Sequence, residues 1–175
     1  MQNQRVLFMN QAAMIAAIYV VLTFAANFLG LASGAIQIRF SEALTVLPFF
    51  TPAAIPGLAI GCLLANFLTG AHPIDIVFGS FATLMGAIFT YLIGKKARAL
   101  KQNDNVKAGT LKWLAPLPPI VSNAVIIPFV LYFAYEITEL WFSFIFVTAG
   151  QIISCGILGM VLLIALEKRN IFKQR

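Results

Sequence analysis

Residues 34–48 read GAIQIRFSEALTVLP and place Arg39 and Glu42 between two long apolar runs. Charged side chains are costly at membrane depth, and those that occur there usually serve a solute pathway or binding site. An arginine and a carboxylate three residues apart at the edge of apolar segments therefore predict a binding site. The rest of the chain is interpreted as the wall around it.

The composition of the whole chain is that of a membrane protein. Hydrophobic residues make up 61% of the 175 residues, charged residues only 10%, and the mean hydropathy is +0.91. Since one membrane span needs about 20 apolar residues, this length predicts about six spans with short loops. We expect residues 1–175 to form a single domain embedded in the lipid bilayer.

The apolar runs predict an all-α integral membrane protein, a compact bundle of six transmembrane helices. The second run is short and stops before Pro52 and Pro56, which remove backbone donors and break a helix. The predicted spans lie at about residues 10–29, 42–50, 55–67, 76–94, 114–135 and 141–166.

The basic residues fix the predicted orientation. Six spans put both termini on one side, and 11 of the 12 Lys and Arg residues fall on that side, Arg39 being the exception. The positive-inside rule therefore places both termini in the cytoplasm. The net charge of +6 is explained by orientation and implies no nucleic-acid partner. The outer side carries Arg39 against four carboxylates, which are Glu42, Asp75, Glu136 and Glu139.

Small residues on the first span predict a close helix contact. Ala12 and Ala16 form one Ala-x-x-x-Ala pair, and Ala13 and Ala17 form a second. Such pairs let two helix backbones approach closely. The pattern leaves open whether the neighbour is a helix of the same chain or a separate subunit.

The sequence offers no arrangement typical of an enzyme. His72 is the lone histidine, and no metal-binding HExxH motif, Walker A motif or glycine-rich dinucleotide turn is present. Cys62 and Cys155 both fall inside apolar runs, where a cysteine usually behaves as a small hydrophobe. We expect no catalytic residues, no metal and no cofactor.

Hydrogen-bonding side chains from several spans converge on the outer half and predict a pocket for a small planar polar molecule. Glu136 and Glu139 are one helical turn apart, so a cationic ligand would relieve their repulsion. Each amide alone could equally hold helices together. The candidates are Arg39, Glu42, Asn66, Asn123, Glu136, Glu139 and Gln151, with the aromatic residues Phe40, Tyr132, Tyr135 and Phe142.

Four segments, 36–48, 57–66, 75–79 and 82–84, resemble the QueT family, the queuosine-precursor substrate-binding (S) subunits of energy-coupling factor (ECF) transporters. The resemblance implies a binding subunit that works with a transmembrane T subunit and two cytoplasmic ATPases. It also implies that Ala13 and Ala17 pack on the T subunit and that the loop between the first two spans gates the site. The implied ligand is a 7-deazaguanine base such as 7-aminomethyl-7-deazaguanine.

Alternative functions remain open at this stage. The chain could be an S subunit for another vitamin, a self-sufficient small-solute permease, or a structural membrane subunit without a ligand. The sequence also leaves open which carboxylate contacts the base.

Overall fold

The computed structural model describes residues 2–31, 37–100 and 105–169, and all regular structure within these ranges is helical. Residues 34–36 of the opening stretch, part of the basic linker, and the basic residues Lys173 and Arg175 lie outside the described ranges. The elements are α1 (Gln2–Phe28), a 3₁₀ helix (Phe40–Phe49), α2 (Ala54–Leu68), α3 (Pro73–Leu100), α4 (Asn105–Leu111), α5 (Leu117–Tyr135), α6 (Leu140–Gln151), a π-helical segment (Ile152–Leu158) and α7 (Gly159–Lys168).

Four of the predicted six spans are confirmed as helices long enough to cross a bilayer. The apolar helical stretches Asn3–Phe28, Pro73–Leu100, Gly109–Tyr135 and Leu140–Lys168 contain 26 to 29 residues each. The other two segments are shorter, with 10 residues in the 3₁₀ helix and 15 in α2. At the usual rise they measure about 20 Å and about 22 Å, less than the roughly 30 Å hydrocarbon core.

The 3₁₀ helix is the central element of the bundle. Its contacts are with α1, α2, α3, the π-helical segment and α7. Local hydrogen bonds between residues three apart explain its tight winding: Glu42 N–H bonds to the Arg39 carbonyl, and the Thr45 hydroxyl donates to the Glu42 carbonyl at 2.6 Å. Pro48 has no backbone donor for a longer ladder. The segment that the sequence predicts as a short apolar span is therefore a buried 3₁₀ helix.

The two alanine pairs of α1 face different surroundings. Ala12 and Ala16 lie against α2, where a β-carbon added to Gly57 would come within 2.8 Å of the Ala12 carbonyl oxygen, and one added to Gly61 within 3.0 Å of the Ala16 Cα. Ala13 and Ala17 are exposed. Ala12 and Ala16 thus pack against α2 of the same chain. Ala13 and Ala17 form a stripe of small side chains on the surface.

The C-terminal end of the 3₁₀ helix packs against the C-terminal part of α3. The Arg98 guanidinium donates to the Phe49 carbonyl, and a β-carbon on Gly94 would meet that carbonyl oxygen and come within 2.7 Å of the Phe49 Cα. Both atoms belong to the backbone, so a side chain at position 94 could be accommodated only if one helix moved.

We expect Gly94→Ala to lower the melting temperature of the purified protein in detergent, because the added methyl group forces α3 and the 3₁₀ helix apart. Overpacking of this kind costs about 1–3 kcal/mol. Gly109→Ala is the matched control, since a β-carbon there meets nothing within 4 Å. Equal melting temperatures for the two variants would show that the Gly94 contact tolerates a side chain.

Candidate functional site

A narrow cavity of about 30 Å³ lies where the start of the 3₁₀ helix meets α2, α3, α5 and α6. Its polar lining comes from residues that are far apart in the sequence, which is typical of a ligand site. Ile127 and Val147 supply the larger aliphatic side chains of the wall. The full lining is Gln37, Arg39, Glu42, Cys62, Gly79, Thr83, Asn123, Ile127, Val147 and Gln151.

Glu42 is the most deeply buried charged side chain of this lining. It is only 2% exposed, and its Oε1 accepts a hydrogen bond of 2.5 Å from the Tyr19 hydroxyl of α1. The Cys155 thiol lies 4.0 Å from its other oxygen, Oε2, a long and weak contact. Tyr19 therefore fixes the orientation of the carboxylate and leaves Oε2 with accepting capacity.

Hydrogen bonds join the segment that carries Arg39 and Glu42 to α1 and to the π-helical segment. The Arg39 backbone N–H donates to the Ser154 hydroxyl at 3.2 Å, and the Thr23 hydroxyl of α1 donates to the Ser41 hydroxyl at 2.9 Å. A β-carbon on Gly150 would run into the Gln37 carbonyl oxygen. This close approach brings α6 and the segment into contact at the cavity.

Two buried amides complete the polar wall. The Asn123 Nδ2 donates to the Pro119 carbonyl at 3.0 Å, so its Oδ1 is the part of the amide left for a ligand. The Gln151 Oε1 accepts from the Cys155 thiol at 3.0 Å, so its NH₂ group is the part left for a ligand. The wall therefore offers both an acceptor and a donor besides the charged groups.

Arg39 and Asp75 form the second charged part of the site. Burial of the Arg39 guanidinium opposes its charged form, but attraction to Asp75, and in smaller part to Glu42, outweighs that cost and raises its pKa. Within the described residues no ion pair joins Arg39 to Glu42 or Asp75, so Arg39 is not held in a simple salt bridge. Its charge is available at the cavity.

The sequence places Asp75 among the outer carboxylates and not among the predicted site residues. In the structure, however, Asp75 is only 5% exposed. Its Oδ2 accepts a long hydrogen bond of 3.4 Å from the Tyr135 hydroxyl. Its Oδ1 is the one buried side-chain oxygen or nitrogen in the described part of the chain that has no hydrogen-bond partner. A β-carbon on the cavity residue Gly79 would lie 3.0 Å from this oxygen.

The predicted site residues divide into three groups. Arg39, Glu42, Asn123 and Gln151 line the cavity together. Asn66 is buried behind Gly79, with its Nδ2 3.2 Å from the position of an added β-carbon and 3.7 Å from the Cys62 sulfur. The remaining predicted residues, Glu136 and Glu139 with the aromatic residues Phe40, Tyr132, Tyr135 and Phe142, are not part of the lining.

Glu136 has a local structural role instead. It is exposed, has a φ of 56° and is the left-handed residue that ends α5, with its N–H bonded to the Leu131 carbonyl. Such a cap satisfies a terminal carbonyl of the helix. Glu139 is also exposed and precedes α6.

Gly79, Thr83 and Cys62, three of the lining residues outside the predicted set, share a sequence signal. Gly79 and Thr83 follow Asp75 at intervals of four, so all three lie along one face of α3. The Thr83 hydroxyl donates to the Gly79 carbonyl at 3.1 Å and lies 3.4 Å from the Cys62 sulfur. The same spacing links Cys62 to Asn66 and Cys155 to Gln151. A search for polar or small residues four apart would have found these positions.

The arrangement can bind a polar molecule but offers no metal site: no three His, Cys, Asp or Glu side chains converge within residues 2–31, 37–100 and 105–169. One guanidinium, one anchored carboxylate and two amides from different helices can instead fix the orientation of a planar ligand with several hydrogen-bonding edges.

Comparisons with known proteins show the family to which the chain belongs. The sequence model of the QueT transporter family matches residues 9–168. A curated relative, the queuosine precursor transporter QueT of Lactococcus lactis subsp. cremoris (strain MG1363), is 37% identical over 73 residues, which cover 42% of this chain and 43% of the relative. No solved structure matches the chain. The chain therefore belongs to the QueT transporter family and is a multi-pass protein of the bacterial plasma membrane.

Proposed function

We propose that this protein is the membrane-embedded substrate-binding (S) subunit of an ECF-type importer and that it captures a queuosine precursor, a 7-deazaguanine base, from outside the cell. The observation that carries the proposal is the Glu42 carboxylate, buried and oriented by Tyr19 in a cavity that also contains Arg39 and two amides. Family membership and the name of the Lactococcus relative support the substrate class.

The hydrogen-bonding edges of a deazaguanine match this lining. The base presents two adjacent N–H donors, from the ring nitrogen and the exocyclic amine, and one carboxylate can accept both. We assign this role to Glu42. The ring carbonyl then faces donors, for which Arg39 and the Gln151 NH₂ group are available, while Asn123 Oδ1 can accept. Asn66 supports the wall from behind Gly79.

The size of the cavity implies movement during binding. A volume of about 30 Å³ suffices for one or two water molecules, whereas a bicyclic base is several times larger. Ile127 and Val147 or the segment that carries Arg39 must therefore shift outward to admit it. The loop before Phe40, which the family resemblance implies as the gate, includes residues 32–36, and these lie outside the described ranges.

We further propose six membrane crossings with both termini in the cytoplasm. The 3₁₀ helix and α2 form a hairpin whose turn reaches the level of Gly94, which is about 30 Å along α3 from Pro73. The turn therefore lies about one hydrocarbon thickness from the start of α3, although the 3₁₀ helix and α2 are each shorter than that thickness. If the hairpin entered the membrane without crossing it, the chain would leave on the side from which it entered. Both termini would then still lie on one side of the membrane. The distribution of Lys and Arg supports the cytoplasmic assignment.

The partners that we propose are a transmembrane T subunit and two cytoplasmic ATPases. The sequence has no Walker A motif, so ATP-driven uptake would need ATPases on other chains. The exposed stripe of Ala13 and Ala17 offers a close-packing surface for a helix of the T subunit.

Uptake in cells tests this proposal. A bacterium that lacks both precursor synthesis and its own precursor transporter receives this chain, with or without a T subunit and the two ATPases. We expect 7-aminomethyl-7-deazaguanine in the medium to restore queuosine in transfer RNA only when all components are present. Restoration by the chain alone would instead establish the self-sufficient permease.

A further inference from the structure

The inference concerns Asp75, which is not part of the cavity lining but lies next to the lining residue Gly79. Its Oδ1 is buried and has no hydrogen-bond partner within the described residues. A buried carboxylate oxygen without a partner is costly, and such groups usually pair with a donor or a cation. Its place in the first turn of α3 favours a negative charge but provides no partner for this oxygen.

The charges around the cavity do not balance. Arg39 and Glu42 line the cavity and Asp75 adjoins it, so with both carboxylates ionised the three groups sum to a net charge of −1. The cysteines and tyrosines next to these groups, Cys62, Cys155, Tyr19 and Tyr135, are neutral at physiological pH. A neutral ligand would leave this charge uncompensated, whereas a monocation would cancel it.

Building on the proposed function, we propose that Asp75 accepts a hydrogen bond from a protonated amine of the substrate and thereby selects a cationic base over a neutral one. The neighbouring position at Gly79 is essential, because this glycine, the lining residue beside Oδ1, has no side chain, so a small outward shift of the wall on ligand binding would bring an amine to this oxygen. In this arrangement Glu42 recognises the base and Asp75 recognises its charged substituent.

Glu136 and Glu139, which we expected to favour a cationic ligand, are less suited to this role. Both are exposed, so water screens their charges and weakens any ion pair that they form. They nevertheless lie on the proposed outer side and provide matched controls for Asp75.

The test compares binding of 7-aminomethyl-7-deazaguanine, a cation, with that of neutral 7-cyano-7-deazaguanine by calorimetry on the purified full-length chain. We expect the unmutated chain to prefer the cation by about 10- to 100-fold, the range that one charge-assisted hydrogen bond provides. Asp75→Asn should remove most of this preference by weakening only the cationic ligand. Glu136→Gln and Glu139→Gln should leave the ratio unchanged.

Each outcome supports or overturns the proposed role of Asp75. An unchanged ratio in Asp75→Asn, or a ratio lost in Glu136→Gln or Glu139→Gln, would overturn the inference. If Asp75→Asn binds neither ligand, Asp75→Glu is measured next. This variant keeps a carboxylate, so it should keep the preference for the cationic ligand. Loss of the preference in Asp75→Glu would refute the role of Asp75. If the unmutated chain binds the neutral base but shows no preference, the inference alone fails. If it binds neither base, the proposed function fails as well.

Discussion

Replacing Glu42 with glutamine should lower the affinity for 7-deazaguanine bases by about 100-fold or more, because the variant loses two charge-assisted hydrogen bonds to the base edge. Glutamine has nearly the same shape but presents an NH₂ group where the carboxylate presents an acceptor. The side chain is buried, so water cannot replace the lost partner. Calorimetry with both deazaguanines would measure the loss, which should affect the cationic and neutral bases alike.

Tyr19→Phe is the matched control for this experiment. It removes the hydroxyl that donates to Glu42 but keeps the carboxylate and the aromatic ring in the core. We expect a smaller loss, of about tenfold or less, since only the orientation of the carboxylate is relaxed. Unchanged binding in Glu42→Gln, with a folded protein, would exclude Glu42 from recognition of the base.

Ala13→Leu and Ala17→Leu should abolish ATP-driven uptake while ligand affinity stays within about threefold of the unmutated chain. Both alanines are exposed and neither lines the cavity, so we expect a larger side chain there to leave binding undisturbed. It would, however, keep a partner helix from close backbone contact. Uptake in cells and calorimetry on the purified chain measure the two effects separately.

Ala16→Leu provides the contrast on the adjacent, buried face of α1. Ala16 is buried and its backbone lies directly against Gly61, so a leucine there overpacks the chain's own core. We expect a lower melting temperature and loss of both binding and uptake. If Ala13→Leu and Ala17→Leu behaved like Ala16→Leu, the exposed stripe would not be a subunit contact.

The sequence predicted the helical class and the four long spans well, because long apolar runs have few alternative structures in a membrane. It predicted that the segment 40–49 is short but did not predict its 3₁₀ winding. That segment is buried on all sides by other helices, and its form depends on these contacts and on the Thr45 back-bond more than on its own hydropathy.

The cavity lining was predictable where a polar residue interrupts an apolar run, as for Glu42, Asn123 and Gln151. Asp75 and Glu136 show that the same criterion does not predict burial. Both stand near helix ends in the sequence, but α3 begins early enough to bury Asp75, whereas Glu136 ends α5 in a left-handed turn that keeps it in solvent. The difference depends on helix boundaries, which hydropathy does not determine.

The most direct test of the central claim is a titration of the purified chain in detergent with a panel of ligands: 7-aminomethyl-7-deazaguanine, 7-cyano-7-deazaguanine, guanine, adenine, thiamine, riboflavin and biotin. We predict saturable binding of the deazaguanines, weaker binding of guanine, which shares the edge assigned to Glu42, and no binding of adenine or the vitamins. Saturable binding of a vitamin without binding of either deazaguanine would contradict the account and identify a different substrate.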